Sequence, residues 1–344
     1  MVRGPQPGGS PDPTAAPAPA PGSRELAERV APLIFGHRPQ RWWRWPVRLI
    51  AAGLLLSALG LWLLRGEGRA ALARDLERAR PSGRLPGAAS LELGPQNAPA
   101  AALLLHGWAT CPADFAELPE RLAACGLFVR APLLAGHGSD PREFARVSLA
   151  EIEAQVRAEY AALESRFPRV FLVGFSMGAG LCLGLEAELP ADRRPAGLAL
   201  VAPYFEIQRP AWLPLDPARA ARWLQPWLAY FDAGPEFVRL ADKRQAHRVV
   251  KFEALPLNAV GLLSELRAKL AAPGVLENCR SPLSMVISSG DRAADPRAAQ
   301  RAYERLGSPD KGLLVVDRSD HQLLLDFDAQ AILSFLEARL CPPR

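Results

Sequence analysis

Past residue 90 the apolar residues fall in short continuous runs, separated by longer stretches in which they recur every three or four positions. The runs are 101–105, 127–133, 170–173, 198–202, 283–288 and 313–316. The stretches between them, 113–125, 148–166, 177–189, 297–306 and 328–340, have helical length and spacing. A strand that is apolar at every position is buried on both faces. The alternation therefore predicts an α/β domain over 89–341, a mostly parallel sheet covered by helices on both sides. Residues 204–278 break the alternation with helix-like, Trp-bearing sequence and no clear strand, and are expected to form a small helical cap.

The first quarter of the chain reads differently. Residues 1–22 hold seven Pro and no aromatic residue, a composition that cannot bury enough apolar surface to offset its ordering entropy, so a disordered tail is expected. Ser23 could cap a short amphipathic helix carrying Leu26, Val30 and Leu33, within a basic segment over 23–48. Residues 49–64 then contain no charge. Sixteen helical residues reach roughly 24 Å at 1.5 Å each, short of a hydrocarbon core of roughly 30 Å; extension to 45–65 with Arg48 and Arg65 snorkelling closes the gap. Trp42, Trp43, Trp45 and Trp62 stand at the two ends, where interfacial indoles belong.

A cleaved signal peptide fits poorly, because Arg65, Glu67 and Arg69 charge the approach to the A-x-A candidate Ala71-Leu72-Ala73. A buried core helix fits poorly with the Arg–Trp flank. The expectation is an N-terminal single transmembrane helix in a bacterial inner membrane, followed by a linker over 65–88. Four Arg precede the span (38, 41, 44, 48) and four follow it (65, 69, 74, 78), so charge balance does not orient it. The usual signal-anchor arrangement would put the large domain outside the cytoplasm.

Charge changes the picture only once it is located. The whole chain of 344 residues carries +5. Residues 1–48 hold net +4 and residues 65–84 net +3, leaving −2 for 85–344. The folded domain thus lacks the general basic surface that phosphate backbones require, and nucleic acid is not an expected partner. Five Cys, at 111, 125, 182, 279 and 341, form no CxxC or CxxH pair. A structural zinc site is not expected, free thiols are the simple reading, and one bridge remains open to an exported domain.

Chemistry enters at Gly174-Phe175-Ser176-Met177-Gly178, directly after an apolar run and directly before a helical stretch. Small residues at both ends allow a strained strand–turn–helix elbow that lifts the Ser176 hydroxyl above the sheet. A serine needs a base. Of the five His, His321 alone follows the last expected strand; His37 precedes the span, His106 and His137 sit in Gly-flanked loops, and His247 lies among Arg and Lys. Asp291, straight after the 283–288 run, is the orienting acid, while Asp295 before Pro296 reads as a helix start. Asp317 and Asp320 are too near His321 in sequence to reach its far ring nitrogen easily. The order Ser176, Asp291, His321 is that of an α/β-hydrolase fold. Leu105-His106-Gly107-Trp108 supplies an early strand end whose amide, at Trp108, would join that of Met177 as an oxyanion hole. His106 itself reads as a buried structural histidine.

The stretch LLLHGWATCPADFAELPERLAACGLFVRAPLLAGHG (103–138) resembles the opening of the bacterial carboxylesterase and monoacylglycerol-lipase (serine aminopeptidase-like) branch of the α/β-hydrolases. The elbow, Leu255-Pro256-Leu257, Asp291 to Pro296 and Ser319 to Asp326 extend the likeness over about 90–341. The resemblance implies Ser176, Asp291 and His321 as triad, the amides of Trp108 and Met177 as oxyanion hole, and cleavage of short- and medium-chain esters or monoacylglycerols. Ala294 departs from the Val or Ile usual there, and Cys182 on the post-elbow helix is expected to be packed, not catalytic.

A membrane-anchored serine esterase without metal or organic cofactor is the leading expectation, acting on a small-molecule ester or lipid; oligomeric state is not legible. Trp212, Trp223 and Trp227, with Tyr230, Phe231 and neighbouring Leu, would line an apolar acyl pocket or hold the cap to the core. An amidase or aminopeptidase-like hydrolase is the alternative, left open by Glu206, Asp216 and Asp232 in the cap. A non-catalytic binding member of the fold is opposed by the complete set of site residues.

Overall fold

The computed structural model describes residues 44–209, 216–234 and 237–341, and residue 28. The Pro-rich tail, nearly all of the helix expected from Ser23, Trp42, Trp43 and Trp212 fall outside them. The chain divides into two compact units, Met1–Leu59 and Gly60–Arg344. Helix α1 (Arg44–Ala79) is followed by β1 (Leu91–Leu93), β2 (Ala101–Leu105), α2 (Leu118–Ala124), β3 (Phe128–Ala131), the single turn α3 (Pro141–Phe144) and α4 (Leu149–Glu164). Then come β4 (Val170–Phe175), α5 (Met177–Glu188), β5 (Gly197–Val201), α6 (Pro217–Leu224), β6 (Tyr230–Asp232), β7 (Ala254–Pro256) and α7 (Val260–Ala271). The chain closes with β8 (Leu283–Ser288), α8 (Pro296–Arg305), β9 (Lys311–Val316) and α9 (Ala329–Leu340).

Seven strands form one sheet in the order β1-β3-β2-β4-β5-β8-β9, with β1 antiparallel and every other pairing parallel. Strands β2, β4, β5 and β8 are buried along their whole length, and alternate side chains feed opposite layers. Leu103, Leu105 and Leu172 pack into one cluster and Leu104, Val173 and Val201 into the other. Each such Leu or Val removes from water enough apolar surface for about 1.5–3 kcal/mol. Helix starts follow local chemistry. Ser148 and Glu151 form a reciprocal capping box on α4, and the Asp295 carboxylate accepts from Arg297 N–H at 2.9 Å to start α8.

The structure adds one strand and modifies two sequence expectations. Strand β1 is too short to register as an apolar run; its burial alternates, as an edge strand's does. The inserted segment holds the helices expected of a small cap, α6 and α7, and adds a two-stranded antiparallel ribbon, β6–β7, that the sequence did not signal. Residues 65–79, expected as linker, continue α1, and from Gly60 onward that helix packs on the inserted segment with Ala71 and Asp75 buried. The period of Ala71, Asp75 and Arg78 fits a helix face, but Gly66, Gly68 and the high Arg content mask it. Over Trp45–Ala79 the helix is long and apolar enough to cross a membrane.

Cys125, at the end of α2, is disulfide-bonded to Cys341, at the end of α9, across 216 residues of sequence. Free thiols describe only Cys111, Cys182 and Cys279, all buried. Neither bridge partner has a sequence neighbour to betray the pairing; the two helices bring them together.

Candidate active site

Strand ends on one edge of the sheet supply the site. At the end of β4, Ser176 adopts φ 53° and ψ −114°. That backbone is strained for any residue with a Cβ, by about 1–3 kcal/mol, and it aims the side chain away from the sheet. The flanking glycines are steric necessities: a Cβ at Gly178 would fall on the Leu105 carbonyl, and one at Gly174 on the backbone of Ala179. Ser176 N–H is held by the Val201 carbonyl at 2.9 Å, which ties the elbow to β5.

Ser176 Oγ lies 3.0 Å from His321 Nε2, and His321 Nδ1 lies 2.7 Å from Asp291 Oδ2. The other carboxylate oxygen of Asp291 accepts from the N–H groups of Ala293 and Ala294, at 2.7 and 2.8 Å. All three side chains are buried. Burial opposes the imidazolium form of His321, but the carboxylates of Asp291, Asp320 and Asp114 outweigh it and raise its pKa above the ordinary imidazole value.

The loop carrying His321 is tied at several points. Asp320 accepts from His321 N–H and Arg292 N–H, both at 2.9 Å, and pairs with the Arg292 guanidinium. It orients backbone around the imidazole and does not contact the ring's far nitrogen. Asp326 accepts from Asp320 N–H at 2.9 Å and from Ala241 and Asp242 N–H at 2.7 and 2.8 Å, joining the His321 loop to the inserted segment. Ser288 Oγ donates to the Ser319 carbonyl at 2.5 Å.

Met177 follows Ser176 directly and opens α5, and Trp108, past the β2 end, lines the same cavity as Ser176. Among the described residues the Trp108 N–H donates to no backbone carbonyl, and Met177 N–H is one of the orphan donors of a helix start. The β2 turn is pinned from beneath. His106 Nε2 accepts from Leu134 N–H at 3.0 Å, so its proton sits on Nδ1, 2.9 Å from the Gly107 carbonyl. Burial pushes its pKa well below the ordinary value, which keeps the ring neutral. Asp114, which the sequence reading passed over, is almost wholly buried; it accepts from Gly107 N–H at 3.3 Å and from the Thr110 hydroxyl. Burial raises its carboxyl to about 6, against those hydrogen bonds. Its place seven residues after Gly107, inside a one-turn helix with no surface role, was the only available signal.

Ser176 and His321 open into a cavity of 320 Å³ walled by Trp108, Tyr204, Ile207, Phe237, Leu255 and Leu263. Three cations, Arg239, Lys251 and Arg292, complete the lining. Trp223 and Trp227 do not reach it: they are 82% and 52% exposed. For Trp223 the reason is helical phase, while Trp227 lies in the turn after α6. Ala221 is the buried position of α6, and Trp223, two residues on, turns about 200° away from it. Trp212 lies outside the described residues. Glu206 and Asp216 sit at a separate cleft beside Arg267, and Asp232 pairs with Arg74. Cys182 is packed in the core, and burial raises its thiol pKa.

The model of the alpha/beta hydrolase family matches residues 102–334. A thermostable monoacylglycerol lipase of Bacillus sp. (strain H-257) is 26% identical over 244 residues, 69% of this chain and 89% of that enzyme. Among solved structures, one from the metagenome-derived lipolytic enzymes LipS and LipT superposes with TM-score 0.66 at 25% identity, covering 75% of this chain and 98% of that one. A soluble variant of monoglyceride lipase from Saccharomyces cerevisiae, solved with a substrate analog, gives TM-score 0.62 at 16% identity, over 73% of this chain and 89% of its own. The family model covers more than half of the sequence, and its span contains the elbow, the acid and the histidine: the chain belongs to the alpha/beta hydrolase family.

Proposed function

We propose that the protein is a serine hydrolase of carboxylic esters, working through an acyl-enzyme on Ser176, with monoacylglycerols or lysolipids among its substrates. The observation that carries this reading is the unbroken Ser176–His321–Asp291 hydrogen-bond chain at the floor of a mostly apolar 320 Å³ cavity. Ser176 Oγ attacks the acyl carbonyl carbon while His321 Nε2 takes its proton; Asp291 holds the Nδ1–H and the imidazolium charge. The carbonyl oxygen becomes an oxyanion facing the N–H groups of Trp108 and Met177. The C–O bond to the alcohol breaks as His321 returns the proton to the leaving oxygen. Water, deprotonated by His321, then attacks the acyl carbon, and the same proton restores Ser176 while the carboxylic acid departs.

The cavity is at the small end of ligand sites, room for one acyl chain and a compact alcohol. Its lining bears cations and no acidic residue among those described, which disfavours substrates with a free amine. The test is a matched series of p-nitrophenyl esters, p-nitroanilides and monoacylglycerols graded by acyl length. Short and medium esters should turn over fastest; anilides outpacing the matched esters would overturn the reading in favour of an amidase.

We also read α1 as a single membrane anchor and place the catalytic domain on the oxidising side of that membrane. Its length and composition support the first. The Cys125–Cys341 bridge supports the second, since thiols stay reduced in the cytosol. Protein alkylated under denaturing conditions should gain three labels without reductant and five with it, matching the three free thiols among five Cys. Five labels in both states would remove the ground for export. Cys125→Ser should lower unfolding stability by about 2–4 kcal/mol.

A further inference from the structure

The far half of α1 is tied to the inserted segment by a series of specific side-chain and backbone contacts. Arg65 Nε donates to the Trp227 carbonyl. At Gly68 the helix backbone lies against the Tyr230 carbonyl, so closely that a Cβ could not be accommodated. Six residues further, Arg74 bridges Asp232 at 2.9 Å and Glu253 at 2.6 Å, clamping β6 to the segment before β7. The buried Asp75 carboxylate accepts from the N–H groups of Glu253 and Ala254, both at 2.9 Å, and Arg78 adds contacts to Asp75 and Glu253. A helix held at Arg65, Gly68, Arg74, Asp75 and Arg78 fixes the height of the ribbon along its axis.

That height is set by Leu61. It packs against the small cluster of Ala221, Leu228 and Leu257, and it lies four residues, about 6 Å of rise, inside the uncharged run that ends at Arg65. Resting on the reading of α1 as a bilayer span, we propose that α6 and the turn after it form a second membrane contact, seated in the interfacial layer of the phospholipid bilayer that α1 crosses. The residues that face outward there suit that layer. Trp223, Leu224 and Trp227 are 82%, 44% and 52% exposed, and Arg219 and Arg222 stand among them. Indoles favour the headgroup boundary, and arginines favour anionic lipid headgroups. The same ribbon runs into the cavity wall at Ala233 and Leu255, so the contact places the acyl-binding cavity next to the layer that holds amphiphilic esters.

The full chain is reconstituted in vesicles of phosphatidylglycerol and a phosphatidylcholine brominated near the carbonyl end of its acyl chains, and Trp emission is compared with that in unbrominated vesicles. The double variant Trp223→Phe/Trp227→Phe should lose a measurable share of the bromine-quenched emission, while Trp62→Phe reports separately on the span. Quenching that is unchanged in the double variant but reduced in Trp62→Phe overturns the second contact and leaves the span standing. No bromine quenching of the parent protein at all overturns the span reading, and the contact with it. Both substitutions in the double variant are at exposed positions, so folding is not at issue.

Discussion

Ser176→Ala lowers kcat for ester hydrolysis by about 10⁴ or more, with little change in KM. The hydroxyl is the atom that forms the acyl bond, and among the described residues no free thiol stands ready to replace it: Cys111, Cys182 and Cys279 are buried, and burial raises the pKa of each. The residual rate comes from binding and the Trp108 and Met177 amides, which the substitution leaves alone. Folding should survive. The variant keeps the Ser176 backbone conformation with a Cβ of the same kind and removes one side-chain hydrogen bond, to His321. Steady-state kinetics beside a thermal unfolding curve checks both halves; a loss of less than tenfold would mean that another group carries the acyl chain.

Asp291→Asn should cost about as much, roughly 10⁴ in kcat, for a different reason. The oxygen that accepts from Ala293 and Ala294 can be kept by an amide, so the loop holds. The amide's NH₂ then faces His321 Nδ1 and becomes a donor where a carboxylate accepted. The imidazole is driven to carry its proton on Nε2, toward Ser176, where it cannot act as base. The pH profile separates this from a general loss of structure. His321 works as the neutral base, and its pKa is raised because the three nearby carboxylates outweigh burial. In the parent, kcat/KM should therefore fall as pH drops through a midpoint above the ordinary imidazole value of about 6.5. Removing the Asp291 charge should move that midpoint to lower pH. A midpoint that stays in place would detach Asp291 from the titrating base.

Much of this site was legible because its chemistry depends on chain order. Ser176 stands at a run-to-helix junction with glycines at fixed offsets, and Asp291 and His321 each follow an apolar run, so the strand pattern alone sends all three to one sheet edge. Asp114 was not legible, and Asp326, which closes the stretch that carries the family resemblance, was legible in position but not in role. Each acts by accepting backbone N–H groups from segments distant in sequence or in a turn, and a carboxylate in that role looks like any surface acid until the fold closes around it. Trp223 misled for the converse reason: composition marks aromatic residues as pocket material, but only helical phase says which face carries it. The Arg-rich stretch after the span was misread through its charge. Arg74 and Arg78 are spent on Asp232, Asp75 and Glu253, partners up to 179 residues away, and no local window could reveal a strut.

The central claim is the acyl-enzyme on Ser176, and peptide mass mapping of the protein quenched in acid during turnover of a p-nitrophenyl ester tests it most directly. The account predicts the acyl mass on the peptide that carries Ser176, and none on that peptide in Ser176→Ala. An acyl group found on a different residue, or unchanged acylation in the variant, would contradict it.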